Sequence, residues 1–459
     1  MAIRDLLTDY FRCPPGCCSL EVSGDPIGDP GFFRFGDAVC YGQPCAGESS
    51  SDVTSELYDV AHDVRFEGSK CLVSFDPSDV VENLRRERYV PDSRGGVPGT
   101  VGLLMREGYY LLRPWLRVSM RRYLQRFFLQ GRLKTSFPAW PVDRSVEKIL
   151  QNLMRLALQN GSSEKIPFIW FWPQGKSGCV VMTHDVETSS GLEFCPSLMD
   201  INDSYQVKAS FQLIPGARYN VSREILDQIW IRGHEVNVHD WSHDGHLFSD
   251  HGLFLEKAAK INQSAKEFRA TGFRSGALYR NSDWYDALAF AYDMSIPNVG
   301  HLDPQAGGCC TVMPYFIGHI LEIPVTTTQD YSLFHILGDY SIDLWRRQLG
   351  LILESNGLAS FIVHPDYILE KSARATYVAL LECLSQLREE QNVWLARPGE
   401  VNAWWRSRCN MRLVHDGSEW RIEGPGKEQA RVAYATLKGN DLTYAFAEDR
   451  AAGRFARVV

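Results

Sequence analysis

The sequence contains no uninterrupted apolar run of about eighteen residues, the least that a membrane-crossing helix needs. A transmembrane helix is therefore not expected. The opening stretch, Met1-Ala2-Ile3-Arg4-Asp5-Leu6-Leu7-Thr8-Asp9-Tyr10, lacks the apolar core of a signal peptide, so a cytoplasmic location is the expectation. Positive charge is not in excess. With 48 Lys and Arg against 56 Asp and Glu, the formal net charge is -8, which implies no bulk attraction to nucleic acid or to an anionic membrane. No internal repeat and no low-complexity tract occurs. What is present is ordinary for a globular protein: 459 residues, 44% hydrophobic and 23% charged, enough for two or three domains and a sizeable core.

Cysteine is plentiful. Six of the twelve lie early, at Cys13, Cys17, Cys18, Cys40, Cys45 and Cys71, yet the chain is too long to be a small disulfide scaffold. Cys13/Cys17 and Cys40/Cys45 could supply a thiolate zinc site. The spacing is loose and the segment rich in Gly and Pro, so unpaired thiols are the plainer expectation. Cys309-Cys310 receive no role.

Four segments are expected. Residues 1–100 form an irregular Cys/Gly/Pro-rich region with short strands such as Phe32–Phe35 and Cys71–Phe75 between breakers. Residues 101–164 hold a basic amphipathic helix, beginning near Pro114, in which Arg113, Arg117, Arg121, Arg122 and Arg126 alternate with large apolar residues. Packing on the next domain with a solvated arginine face is its ordinary use; contact with a membrane surface or a partner through 113–128 is the other. Residues 165–404 repeat strand then helix. Strand-like runs at Val180–Thr183, Ala209–Ile214, Val236–His239, Gly272–Phe273, Ile320–Val325, Leu358–His364 and Val393–Ala396 are separated mostly by helical patterns, including Ser222–Trp230, Phe254–Phe268, Ser282–Tyr292, Ile342–Leu353 and Ala375–Leu387. That alternation implies an α/β fold with a parallel sheet, and about seven units suit a closed or nearly closed (β/α) barrel. Residues 405–459 alternate apolar and polar positions between turns, as a small antiparallel β appendage would.

The chemistry-bearing residues cluster at the ends of the expected strands. Asp185 and Glu187, two apart in extended chain, point to one side. His239 and His243, four apart, fall on one side of a helix or of a turn leading into one. Two imidazoles and a carboxylate form a zinc set that leaves a position open for water, the mark of a catalytic site. His246 and His251 compete for that role, and His234 begins the same strand. A carboxylate outside the metal shell could take a proton from water, although either acid could instead cap the next helix, as could Thr188-Ser189-Ser190.

Thr183-His184-Asp185-Val186-Glu187, His239-Asp240-Trp241-Ser242-His243, Phe273-Arg274 and Ile362-Val363-His364 together resemble, in order, the first, second, third and fifth motifs of the polysaccharide deacetylase family. This is carbohydrate esterase family 4, the nodulation-type chitooligosaccharide deacetylase homology domain. The likeness spans roughly residues 165–400. It implies an irregular (β/α)7-type barrel, with the irregular N-terminal region and the C-terminal β appendage outside it. It also implies a hydrolase that removes an N-acetyl group from an amino sugar or glycan precursor. By resemblance, Asp185 is the general base, Arg274 holds and polarises it, His364 is the general acid, and His239 and His243 ligate a divalent metal, zinc above all. The usual family pattern has adjacent aspartates. Here Val186 stands in the ligand place and cannot bind metal, so Glu187 takes that role, as in the subset with carboxylates two apart. Ser275-Gly276-Ala277-Leu278-Tyr279 replaces the usual proline and aromatic after the arginine, and Asp293-Met294-Ser295 stands where a fourth motif would be without matching it. His184, Trp241 and Tyr279 are candidates for substrate contact, with Trp284 beside them; a satisfied histidine and core aromatics are the bland alternatives.

The substrate expected is an N-acetylated sugar or glycan precursor. A metal-dependent hydrolase of a cyclic amide or ureide keeps the same site, and a non-catalytic carbohydrate-binding protein keeps only the barrel. Base, arginine and acid together argue against the last.

Overall fold

In the computed structural model the described residues are 6–17, 19–68, 70–90, 126, 129, 131–161, 163–216 and 218–446. Most of the basic segment 113–128 lies outside them. The chain divides into two compact units: residues 1–89, 144–177 and 403–459, and residues 90–143 and 178–402. This differs from the four consecutive segments expected above.

In the first unit, the helix Ser145–Asn160 buries Val146, Ile149, Leu150, Leu153, Met154 and Ala157, the spacing of a single helical face. Phe32–Phe35 falls within a hairpin, Gly31–Phe35 with Ala38–Gly42. Of the C-terminal strands, Arg412–His415 and Trp420–Glu423 pair only with each other, whereas the last two join a strand from the middle of the chain. Val432–Lys438 pairs antiparallel with Lys165–Ile169 on one edge and with Asp441–Phe446 on the other. Lys165–Ile169 is an edge strand, where Pro167 is tolerated. Buried Arg408 donates to the carbonyls of Tyr10, Phe11, Ile169 and Trp170, tying three distant stretches together.

The second unit is a barrel-like α/β layer structure. Its strands are β1 (Cys179–Val186), β2 (Ser210–Leu213), β3 (Glu235–His239), β4 (Gly272–Arg274), β5 (Tyr292–Asp293), β6 (Tyr315–Ile317), β7 (Ile320–Glu322), β8 (Leu358–Ile362) and β9 (Trp394–Ala396). Its helices are α1 (Ser189–Ser204), α2 (Arg223–Ile231), α3 (His251–Phe268), α4 (Asp343–Leu353) and α5 (Lys371–Glu390). The sheet runs β6-β7-β5-β4-β3-β2-β1-β8, parallel except where β6 meets β7. The long β1 takes β9 beside Cys179–Val181 and β2 beside Thr183–Val186 on one edge, and β8 on the other. Beyond β7, the Thr327 N–H donates to Ser360 O (3.3 Å) and the Ser360 N–H to Thr326 Oγ1 (2.8 Å), so the chain after β7 reaches β8.

Three caps are where local chemistry puts them. Thr188 Oγ1 accepts from Gly191 N–H (3.0 Å), Ser222 Oγ from Ile225 N–H (3.3 Å) and Asp250 Oδ1 from Leu253 N–H (2.9 Å), opening α1, α2 and α3. The helical pattern expected over Ser282–Tyr292 is instead a 3₁₀ turn, Ser282–Ala287, running into β5. Leu288, Phe290 and Tyr292 are buried at every second position, and this strand period overrides the helical spacing.

Strand parity sets what faces where. Val180, Met182 and Val186 join the apolar core, as do Val236 and Val238 of β3 and Ala359, Phe361 and Val363 on and after β8. Burying each such side chain is worth about 1.5–3 kcal/mol for the larger ones. The alternate positions, Thr183, Asp185, Asn237, His239, Ser360 and His364, take the opposite face, and the chemistry collects there.

Candidate metal centre

Asp185 closes the inward face of β1, and Glu187 follows on the same parity just past the strand end. His239 ends β3. His243 is not on a helix or a turn leading into one, as the spacing suggested, since α3 begins only at His251. Instead the backbone turns back through two residues with positive φ, Asp240 (57°) and His243 (51°). Asp240 suits that conformation because its carboxylate accepts from the N–H groups of Trp241 (2.6 Å) and Gly276 (3.2 Å). Lys257 of α3 pins the following loop, reaching Asp244 Oδ2 at 2.9 Å and Oδ1 at 3.2 Å.

The outcome is a convergence of Glu187, His239 and His243, whose donor atoms all lie within 4.8 Å of one another. Glu187 Oε1 is 2.8 Å from His243 Nε2 and 3.7 Å from His239 Nε2. Both imidazole Nε2 atoms are buried and face Glu187 Oε1, with no other hydrogen-bond partner among the described residues. His239 Nδ1 faces the Arg274 carbonyl at 3.1 Å, which places a proton on Nδ1 and turns Nε2 toward Glu187. Two buried imidazole nitrogens and a carboxylate oxygen, converging on one point, fit a divalent cation that would take the place of the proton between them. Among the described residues no cysteine cluster forms a second such group. Cys13 and Cys17 meet with Sγ atoms 3.2 Å apart.

The flanks of the cluster are fixed by charge. Arg274 donates to Asp185 Oδ1 (2.7 Å), Thr183 Oγ1 (2.7 Å) and the Met294 carbonyl (2.9 Å). Asp185 Oδ2 lies 3.8 Å from His239 Nε2. Burial pushes the Asp185 carboxyl up, but Arg274, His239 and His364 outweigh it and hold it below its usual value. Glu187 sits well below the carboxylate range in the same way, as His243, His239 and His364 overcome its burial. On the other flank, Asp330 accepts from His364 Nδ1 (2.6 Å) and from the His364 backbone N–H (2.7 Å), leaving Nε2 3.3 Å from Glu187 Oε1. Burial lowers the His364 imidazole, but Asp330 and Glu187 raise it well above the ordinary histidine value. Tyr367 packs on the same ring at 4.6 Å between centroids.

The other candidates fall elsewhere. His184 does not face the site. It has the even parity of the core, is wholly buried, and is satisfied by the Val363 carbonyl (3.0 Å) and Asn202 Nδ2 (2.9 Å), so substrate contact is corrected to a structural role. Burial lowers its pKa to about 3. Trp241 is half-buried, with Lys260 Nζ 5.9 Å from its ring centre. Tyr279 is 8% exposed and closes a tight turn on the Gly276 carbonyl. Trp284 packs with His251, Phe254 and Phe248. Of the competing histidines, His234 is bound to the Ala209 N–H and Asp203, His246 is exposed, and His251 opens α3. Asp293 is paired with Glu322 in the interior, where burial raises both carboxyls.

Asp330 was legible in principle and missed. It is an acid a few residues past an apolar strand, the signature that drew attention to Asp185. Arg218 and Tyr219 carried no such signal.

No family model matches the chain, and no curated protein does. Among solved structures it is similar to a protein from Mycobacterium smegmatis assigned as a polysaccharide deacetylase (21% identity, 52% of this chain, 93% of that one, TM-score 0.42). It is also similar to Puue allantoinase (11%, 51% and 92%, TM-score 0.43) and to the peptidoglycan deacetylase PdaC from Bacillus subtilis (10%, 50% and 93%, TM-score 0.33). At these scores the likeness carries no chemistry, which has to be read from the site itself.

Proposed function

We propose that the chain is a divalent-metal-dependent hydrolase that removes an N-acetyl group from an amino sugar or glycan precursor. The observation that carries this reading is the joint placement of a convergent Glu187/His239/His243 set between a carboxylate tied to arginine and a histidine tied to carboxylate. Glu187, His239 and His243 would hold the cation. When bound, a cation such as zinc supplies Lewis acidity and lowers the pKa of a coordinated water to about 7. Asp185, kept ionised by Arg274, accepts the proton of the attacking water through Oδ2, the oxygen that Arg274 leaves open. His364, kept protonated by Asp330, delivers a proton to the departing nitrogen, because an unprotonated amide ion is a very poor leaving group. The sugar preference comes from the motif resemblance, not from this geometry.

The test is acetate release by zinc-loaded protein from N-acetylglucosamine and its short oligomers, set beside ring opening of a cyclic ureide. Acetate release from the sugars is expected. Turnover of the ureide alone would replace the substrate class, and turnover of neither would remove the hydrolase reading.

A further inference from the structure

The two carboxylates of the first motif are separated by Val186, so Glu187 must be brought to the cation from beyond the strand end. The stretch after β2 does this. Tyr219 OH donates to the Val186 carbonyl (2.5 Å) while accepting from the Ile214 N–H (2.8 Å). The Gly216 N–H donates to the Trp241 carbonyl (3.0 Å), and a Cβ at Gly216 would stand 2.2 Å from that oxygen. Between them, Arg218 donates from one amino group to the Glu187 carbonyl (3.2 Å) and from the other to the His243 carbonyl (2.9 Å). One planar guanidinium therefore spans the backbones of two of the three candidate ligands.

We infer that Arg218 is a positioning residue for the cation site, fixing the distance between Glu187 and His243, with Tyr219 and Gly216 as the fixed ends of the bracket. This rests on the metal reading above. Arg218 is exposed, touches neither donor atom and buries little, so its hydrogen bonds are not needed to complete a core. Guanidinium geometry matters here: its fork can serve two carbonyls at once, whereas an ammonium is a single point donor group on a flexible stem.

The experiment is zinc titration of the metal-free full chain against a chromophoric chelator, with the visible spectrum of the cobalt form and apo-protein melting recorded alongside. Arg218→Met should weaken zinc binding about 10- to 100-fold, the range for partners that orient ligands, and alter the cobalt bands, with apo melting unchanged. Arg218→Lys should restore only part of the affinity, and Tyr219→Phe should weaken binding less than Arg218→Met. Wild-type affinity and cobalt spectrum in Arg218→Met would overturn the bracket while leaving the metal site standing. Reduced apo melting with unchanged zinc affinity would do the same, by making Arg218 merely structural. Failure of the wild-type chain to bind zinc or cobalt would instead overturn the metal reading and the bracket with it.

Discussion

Asp330 accepts two hydrogen bonds from one residue, His364: the ring Nδ1 at 2.6 Å and the backbone N–H at 2.7 Å. These two hydrogen bonds fix the orientation of the ring with Nδ1–H toward Asp330, and the carboxylate charge favours the imidazolium. An acid acts while protonated, so activity is present below the His364 pKa and lost above it. Asp330→Asn removes the charge and keeps one of the two acceptor oxygens. The alkaline limb of kcat/KM should then move down by about one to three pH units. A limb that stays in place would separate Asp330 from the acid.

Asp185→Asn should abolish turnover, by about 10²- to 10⁴-fold or more, while metal content stays near normal. Loss of metal in that variant would make Asp185 a ligand and leave the base unassigned.

How far these residues could be read from the sequence varied with the rule involved. Period-two alternation was enough to put Asp185 and Glu187 on one face, and Ser222 was legible as a cap because its hydroxyl has a single nearby use. The His239–His243 pair was legible as a pair but not as a loop, because spacing alone cannot reveal positive φ at Asp240 and His243. The even parity of His184, shared with Val180, Met182 and Val186, points it to the core, where a polar side chain hides among apolar neighbours. Pairing between Lys165–Ile169 and Val432–Lys438 joins positions far apart in the chain, which no local pattern reports.

Gly276 packs under the loop that carries His243. A Cβ there would lie 2.6 Å from Asp240 Oδ2 and 3.0 Å from His243 Cδ2. Gly276→Ala should displace His243, cost about 1–3 kcal/mol of stability, and weaken zinc binding about tenfold or more. Unchanged zinc affinity would show that His243 does not depend on this close approach.

Acid should destabilise the fold through histidines buried neutral. Burial lowers His184 to about 3 and His234 to about 4. The folded state thus binds fewer protons than the unfolded one, where histidine titrates near 6.5. Their stability contribution is full above about pH 6.5 and falls as pH drops towards those lower values, by up to about 1.4 kcal/mol per pH unit for each residue. Denaturant melts of the wild type and His184→Asn from pH 7.5 down to about 4.5 check this. The variant should show the shallower pH slope, and equal slopes would contradict the assignment.

Whether Glu187, His239 and His243 hold a divalent ion is read most simply by elemental analysis of purified wild-type protein and His239→Ala after identical zinc loading and desalting. About one ion per chain is predicted in the wild type, with most of it lost in the variant. Equal metal content in the two proteins would contradict the site.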